Sequence, residues 1–222
     1  MARWILGDVH ARIDALEQVF ERAKFQEDDL LISIGDIVDR GHEPFECVEF
    51  LSKIKNKVLI RGNHDEYFYD YIRGGKHKLI NDHGTAITLM KYRPLSVEMK
   101  IEVEKFFSQQ VYYYILEDKC FVHGGFDRNF SIKTQDSDTL IWDRELWSEA
   151  MKSQVGDRLE FEDGFKTIFI GHTPTIAFNS DKPLFYGGVW NVDTGAGFND
   201  GKMTLLNIDT FDYFQSDTIG TI

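Results

Sequence analysis

Five short segments of this chain pair glycine with side chains that bind metals or move protons. They are GDVH (residues 7–10), GDIVDRG (35–41), GNHD (62–65), HGG (123–125) and GHTP (171–174). Four of the seven histidines lie in these segments. Each segment follows an apolar run, and carboxylate, imidazole and amide groups together indicate a site for a divalent metal.

The apolar runs before these segments explain how the segments could meet. Residues 4–6, 30–34 and 57–60 are predicted to be buried strands. In residues 11–24 and 45–54 the apolar residues recur at helical spacing, which predicts two helices. This alternation is typical of parallel β-α-β units. Ligands bind beyond the carboxyl ends of such strands, where glycine allows close approach of the backbone. Six side chains are therefore expected to converge at one edge of the sheet: Asp8, His10, Asp36, Asn63, His123 and His172.

The remaining residues complete one α/β domain with a mixed sheet, spanning residues 1–222. Residues 74–110 change in composition and are predicted to form a mostly helical insert, with a helix at 99–107. Further helices are predicted from about residue 65 and at 144–151. Strands are predicted at 112–116, 120–122, 167–170, 185–186, 190–192, 204–208 and 211–214, and the last of these are expected to form an antiparallel meander.

The six converging side chains suit two metal ions better than one. Six protein ligands are too many for a single catalytic ion that keeps open positions, whereas two ions about 3.5–4 Å apart can share one bridging carboxylate. The set contains no thiolate, which argues against a structural zinc site. Nitrogen and oxygen ligands admit manganese, iron or zinc, and manganese is the metal we expect in assays.

Net charge and cysteine content limit the class of partner. The 222 residues carry 37 acidic and 25 basic side chains, a net charge of −12. This argues against nucleic acid and anionic membranes as partners, although metal ions would still allow a phosphorylated substrate. No apolar run approaches the roughly 18 residues of a transmembrane helix, and the first residues indicate a strand rather than a signal peptide. Cys47 and Cys120 are expected to be buried free thiols of a cytoplasmic protein.

The order of the five segments resembles the phosphoprotein phosphatase family of the metallophosphoesterase superfamily. The compact bacteriophage-lambda type of serine/threonine protein phosphatase is the most similar subgroup. The resemblance runs over residues 3–210 and rests on LLISIGDIVDRG, LIRGNHD, LIWDRE, TIFIGHTP and VDTGAGF. It implies the calcineurin-like metallophosphoesterase fold, an α/β fold with central mixed β-sheets flanked by helices.

The resemblance also implies a role for each motif residue. Asp8, His10 and the bridging Asp36 would hold the first ion. The second ion would be held by Asp36, Asn63, His123 and His172. Arg40 and Arg144 would bind the phosphate oxygens, and His64, oriented by Asp39, would protonate the leaving oxygen.

The activity implied by the resemblance is metal-dependent hydrolysis of phosphoserine and phosphothreonine in proteins, with phosphotyrosine as a further substrate. The nucleophile would be a hydroxide that bridges the two ions and attacks phosphorus directly. Two other functions stay open: a symmetric dinucleoside tetraphosphatase or broad nucleotide phosphatase, which GNHD permits, and a non-catalytic metal-binding scaffold. GHTP and IWDRE favour the protein phosphatase.

Some positions depart from the family pattern or have no assigned role. Ala11 stands where the family usually has glycine, and Asp65 where protein phosphatases usually have glutamate. Phe198 is either an aromatic residue of the substrate pocket or a core residue in a turn. The remaining histidines, His42, His77 and His83, have no assigned role, and the sequence leaves the oligomeric state and the physiological substrate open.

Overall fold

The computed structural model describes residues 1–75, 84–154 and 156–222. Its strands are β1 (Arg3–Leu6), β2 (Leu30–Ser33), β3 (Lys57–Leu59), β4 (Tyr113–Leu116), β5 (Lys119–Val122), β6 (Thr167–Ile170), β7 (Leu184–Tyr186), β8 (Val189–Asn191), β9 (Thr204–Asn207) and β10 (Tyr213–Gln215). Its helices are α1 (Ile13–Ala23), α2 (Pro44–Ser52), α3 (Asn63–Ile72), α4 (Thr85–Tyr92), α5 (Val97–Ser108), α6 (Ser137–Trp142) and α7 (Glu145–Lys152). Short 3₁₀ turns lie at Ile132–Thr134, Thr175–Phe178 and Ile219–Thr221.

The strands form two mixed sheets of five, in the orders β10-β9-β1-β2-β3 and β4-β5-β6-β8-β7. The predicted β-α-β units are confirmed, because β1, β2 and β3 are parallel neighbours with Ile5 opposite Ile32. The α/β class and the mixed sheets flanked by helices are also confirmed.

The two sheets pack face to face on an apolar layer. Ile5, Ile32 and Leu206 from the first sheet meet Phe121 and Phe169 from the second, all fully buried. The Phe121 and Phe169 rings stack with centroids 4.9 Å apart. The central strands are nearly continuous apolar runs because both of their faces are buried: the facing sheet covers the inner face and helices cover the outer face.

The predicted antiparallel meander at the end of the chain is wrong. The chain leaves the second sheet after β8 and joins the first at β9, which pairs antiparallel with β1. In the described part of this end of the chain, the antiparallel pairs of consecutive strands are β7–β8 and β9–β10. The local pattern indicates where strands lie, whereas the change of sheet depends on tertiary packing.

Most helix ends lie one or two residues from the predicted ones, and α3 and α6 show the physical reasons for the differences. Helix α3 begins at Asn63, two residues before the predicted start at Asp65, because Gly62 is its N-cap. Helix α6 was not predicted, although Asp136 caps it by accepting a hydrogen bond from the backbone N–H of Thr139. The segment was missed because six residues are too few to show a clear helical period.

The described part of the insert is helical, as expected from residues 74–110. Its helices α4 and α5 pack on α2 and α3, and Phe107 meets Phe68 edge to face at 5.2 Å. Residues 76–83, which include His77 and His83, lie outside the described residues. Within the described ranges, no helix is both long and apolar enough to cross a membrane.

Candidate dinuclear metal site

The six side chains predicted to converge lie at the carboxyl ends of strands in both sheets. Asp8, Asp36 and Asn63 follow β1, β2 and β3, whereas His123 and His172 follow β5 and β6. All six candidate ligands, including His10, are buried, with exposures of 0–6%. The sequence predicted one sheet edge, and the structure instead brings together the edges of two facing sheets.

Asp36 lies between two groups of potential ligands. Its Oδ2 is 3.7 Å from His10 Nε2, and its Oδ1 is 3.4 Å from His123 Nε2. The first group consists of Asp36, His10 and His64, and the second of Asp36, His123 and His172, with candidate ligand atoms within 4.8 Å of one another. Asp8 lies at the edge of the first group, with Oδ2 4.0 Å from His10 Nε2.

The second group has the spacing of atoms that share one ion. Asn63 Oδ1 is 3.1 Å from His123 Nε2 and 2.9 Å from His172 Nδ1. Ligand atoms about 2.1 Å from an ion lie roughly 3 Å apart at right angles. His172 Nε2 is buried without a hydrogen-bond partner among the described residues. Because His172 Nδ1 lies beside Asn63 Oδ1, which also lies beside His123 Nε2, Nδ1 is the ligand candidate.

Backbone carbonyls fix the tautomers of two histidines. His123 Nδ1 donates to the Ile34 carbonyl at 2.9 Å, and His10 Nδ1 donates to the Val38 carbonyl at 3.2 Å. Each Nε2 lone pair then faces Asp36, as a metal ligand requires. The Asp36 carboxylate packs closely against the backbone of Gly62. Any side chain there would prevent this contact, because a Cβ on Gly62 would collide with Asp36 Oδ1.

The pKa values of the buried groups indicate that bound cations would stabilise the site. Burial, and then the charge of Asp193, raise the pKa of Asp8 well above its usual range. Burial lowers the pKa of His172 to about 2, which leaves a neutral imidazole. Burial also lowers the pKa of His123, but the charge of Asp36, its hydrogen bond to the ring and the charge of Asp8 together outweigh burial and raise that pKa to about 9. Divalent ions would relieve these conflicts, so the residues fit the metals that the sequence implied.

Several candidate residues hold backbone conformations that cost energy. The φ angles of His10, Asp36, His172, Asp39 and Arg40 are +48°, +51°, +64°, +71° and +66°. Non-glycine residues rarely adopt this left-handed region, and such strain concentrates at functional sites. The neighbouring alanine, which replaces the family's usual glycine, shares the conformation at φ +54°.

A second cluster, beside Asp36, holds the candidate proton donor. His64 Nδ1 donates to Asp39 Oδ2 at 2.8 Å. Arg40 Nη2 lies 3.3 Å from His64 Nε2, and the Arg40 guanidinium lies 4.9 Å from the centroid of the Phe198 ring. Phe198 is 40% exposed, so the structure favours a surface position over a core position for this ring.

The structure also brings Arg144 close to the last histidine segment. Arg144 is the N-cap residue of α7, and its Nη1 donates to Thr173 Oγ1 at 3.0 Å. Thr173 directly follows His172. The structure thus places Arg40 beside His64, and Arg144 beside the segment that carries His172.

Comparison with known proteins decides the family. The sequence model of the calcineurin-like phosphoesterase family matches residues 1–198. The chain belongs to this family. The phosphoesterase is 26% identical to an asymmetrical bis(5′-nucleosyl)-tetraphosphatase, PrpE, of Halalkalibacterium halodurans, over 94% of this chain and 91% of that protein.

Two further comparisons cover nearly the whole chain. The phosphoesterase is 26% identical to serine/threonine-protein phosphatase 1 of Salmonella typhimurium, over 92% of this chain and 91% of that protein. A crystal structure described as that of a candidate diadenosine tetraphosphatase aligns with a TM-score of 0.68 at 18% identity, over 96% of this chain and 91% of the other. The structural likeness supports the fold alone.

Sequence reasoning missed residues that support the phosphoesterase site. Asp65 Oδ1 accepts the Ile37 N–H at 2.8 Å, and its Oδ2 accepts the Gly62 N–H at 3.3 Å. Asp65 therefore ties the GDIVDRG loop to the start of α3. Its position three residues after the N-cap is the capping-box pattern, which could have revealed it.

The sequence assigned no role to three more residues near the site. Thr85 and Thr88 of α4 donate hydrogen bonds to Asp39. Asp193 is buried, which raises its pKa to about 6, and its Oδ1 accepts the Gly195 N–H at 2.9 Å. The two threonines belong to no motif, whereas Asp193 lies in VDTGAGF, where it had no assigned role. His42, also without a role, is exposed.

Proposed function

We propose that this phosphoesterase is a metal-dependent phosphomonoesterase that hydrolyses phosphoserine and phosphothreonine in proteins, and phosphotyrosine to a lesser extent. The observation that carries the proposal is the position of Asp36, whose two carboxylate oxygens face two separate histidine groups. A carboxylate in that position can bridge two ions, as two-metal phosphoryl transfer requires. The whole chain, residues 1–222, would form the single catalytic domain.

The proposed ligands follow the two groups. Asp8, His10 and Asp36 would hold one ion, and the other would be held by Asp36, Asn63, His123 and His172. The bound ions would supply Lewis acidity and lower the pKa of water, so that hydroxide is available near neutral pH. Manganese is the metal that we expect to support activity, with iron or zinc as alternatives, because the donor set contains nitrogen and oxygen only.

The arginines would bind and orient the phosphate. A guanidinium offers a fixed fork of donors that matches two phosphate oxygens, and it stays charged throughout. Arg40 lies beside His64, and Arg144 contacts Thr173, which directly follows His172. Together they would hold phosphorus in line for attack and offset the charge on its equatorial oxygens.

His64 would protonate the departing alkoxide. A serine or threonine alkoxide is a poor leaving group, so its departure needs a proton from a group within hydrogen-bond reach. Asp39 holds Nδ1 of His64, so Nε2 is the nitrogen that can deliver a proton. This nitrogen points toward Arg40, which would also bind the phosphate.

Hydrolysis of dinucleoside tetraphosphates is the second candidate function. The relative from Halalkalibacterium halodurans bears that name, at the same 26% identity as the protein phosphatase relative. The exposed ring of Phe198 beside Arg40 could stack against a base. That relative is of the asymmetrical kind, whereas the sequence suggested the symmetric kind, so the products need to be identified.

A paired assay separates the two candidates. We would compare kcat/KM on a phosphoseryl peptide and on diadenosine tetraphosphate, with Mn²⁺ and with chelator, and identify the nucleotide products. The proposal predicts the higher value for the peptide and loss of that activity with chelator. A higher value for the nucleotide would overturn it, with two ADP indicating symmetric cleavage and ATP plus AMP indicating asymmetric cleavage. Turnover of neither substrate would favour a non-catalytic scaffold.

We infer a cytoplasmic location, which the two free thiols support. Cys47 and Cys120 are both buried and unpaired with each other, as is usual where the environment is reducing. The net charge of −12 supports phosphorylated proteins or small molecules rather than nucleic acids or membranes as partners.

A further inference from the structure

The insert reaches the candidate proton donor through two threonines. Thr85 and Thr88 lie one helical turn apart in α4, and both are fully buried. Thr85 Oγ1 donates to Asp39 Oδ2 at 2.9 Å, and Thr88 Oγ1 donates to Asp39 Oδ1 at 2.7 Å. Each carboxylate oxygen of Asp39 therefore has its own hydroxyl donor from the same helix face.

The same segment also holds the backbone of the DRG turn. The Asp39 N–H donates to Thr88 Oγ1 at 3.1 Å, and the Arg40 N–H donates to the Gly84 carbonyl at 3.4 Å. Asp39 and Arg40 are two consecutive non-glycine residues with left-handed φ angles. Such a conformation persists only where the surroundings impose it, and the start of α4 supplies these bonds.

We propose that Thr85 and Thr88 are positioning residues that hold Asp39 so that its Oδ2 receives the His64 Nδ1–H. This inference rests on the proposed function, in which His64 protonates the leaving oxygen. Asp39 Oδ2 accepts from both Thr85 and His64, so the direction of the carboxylate sets the direction of the imidazole. The insert would then be needed for proton transfer and not only as a border of the substrate groove.

The chemistry of the leaving group isolates this role. p-Nitrophenolate leaves without a proton, whereas phenolate departs faster with one, so a misaligned donor slows phenyl phosphate selectively. Valine matches threonine in shape but lacks the hydroxyl, and serine keeps the hydroxyl. Thr85→Val and Thr88→Val test the hydrogen bonds, and Thr85→Ser and Thr88→Ser test rescue. Thr167→Val, a buried threonine at the start of β6, is the matched control.

We expect each valine variant to lose about 10-fold in kcat/KM on phenyl phosphate, a fraction of the full general-acid contribution, and less than about 3-fold on p-nitrophenyl phosphate. The serine variants and Thr167→Val should stay near the wild type on both substrates. In a His64→Asn background the valine changes should add no selective loss, because the group that they orient is absent.

Other outcomes would overturn the proposal. Equal losses on both substrates, or a selective loss that persists without His64, would indicate a structural role only. If Thr88→Val does not fold, as judged by circular dichroism, Thr85→Val carries the test because it removes a single hydrogen bond. A His64→Asn variant with selective loss beside unaffected, folded threonine variants would reject this inference alone. Absence of wild-type turnover would reject the proposed function with it.

Discussion

Nη2 of Arg40 lies 3.3 Å from Nε2 of His64, so the candidate phosphate-binding arginine contacts the nitrogen that would deliver the proton. A phosphate that draws the guanidinium to its own oxygens would release this contact and leave Nε2 facing the leaving group. Binding of the substrate and readiness of the acid would then be linked through one side chain.

Replacement of His64 by asparagine should affect substrates according to their leaving groups. Asparagine has similar size but cannot act as an acid near neutral pH. We expect a loss of about 100-fold in kcat/KM on phenyl phosphate, at the low end of general-acid contributions, with a loss below about 5-fold on p-nitrophenyl phosphate. Steady-state kinetics on both substrates would check this. Equal losses on the two would argue against the acid role.

A methyl group on Gly197 should weaken phosphate binding. A Cβ there would lie 2.7 Å from Cδ and Nη1 of Arg40 and 2.7 Å from Cδ2 of His10, so the guanidinium must move. We expect Gly197→Ala to raise the KM for p-nitrophenyl phosphate and the inhibition constant of inorganic phosphate by about 10-fold, the value of one lost charged hydrogen bond.

The double variant provides the control for this prediction. In an Arg40→Ala background, Gly197→Ala should raise both constants much less, since of the close contacts only that with His10 Cδ2 remains. An unchanged inhibition constant in the single variant would show that Arg40 does not bind the phosphate from its present position.

Arg144→Ala should reduce turnover of phosphoesters, because it removes a forked donor beside the last histidine segment. We expect about a 10–100-fold loss in kcat/KM, which corresponds to about 1.5–3 kcal/mol for a charged hydrogen bond. Arg128→Ala is a matched control, since that arginine is paired at the surface with Glu149. Comparable kinetics of the two variants would remove Arg144 from the site.

Removal of metal should lower thermal stability as well as activity. Without cations, the burial that raises the pKa of Asp8 is uncompensated. Mn²⁺ at 100 times its Kd would stabilise the folded state by about 2.7 kcal/mol, which for a chain of this size shifts Tm by about 5–10 °C. Thermal melts with Mn²⁺ and with chelator would measure this shift, and Asp36→Asn should show a much smaller one. Coincident melts of the wild type would contradict the prediction.

The sequence predicted the site better than the path of the chain around it. The glycine-flanked segments can be recognised locally, and their positions after predicted strands were enough to predict that His123 and His172 lie close to Asp36. The residue pattern predicted one mixed sheet, and only the family resemblance implied more than one, because the partner of each inner apolar face, such as that of Phe121, depends on the whole chain. Thr85 and Thr88 were missed for a different reason, since a neutral hydroxyl becomes significant only when a distant carboxylate faces it.

Asp36 can act as a bridge only if the site holds two ions, so the number of ions bound per chain is the decisive quantity. Metal content per chain would be measured after dialysis against Mn²⁺ for the wild type, Asn63→Ala and His172→Ala, with activity measured on the same samples. We expect about two ions per chain in the wild type and about one in each variant, with loss of nearly all turnover in both variants. A fully active wild type with a single ion, or variants that retain two ions and full turnover, would contradict it.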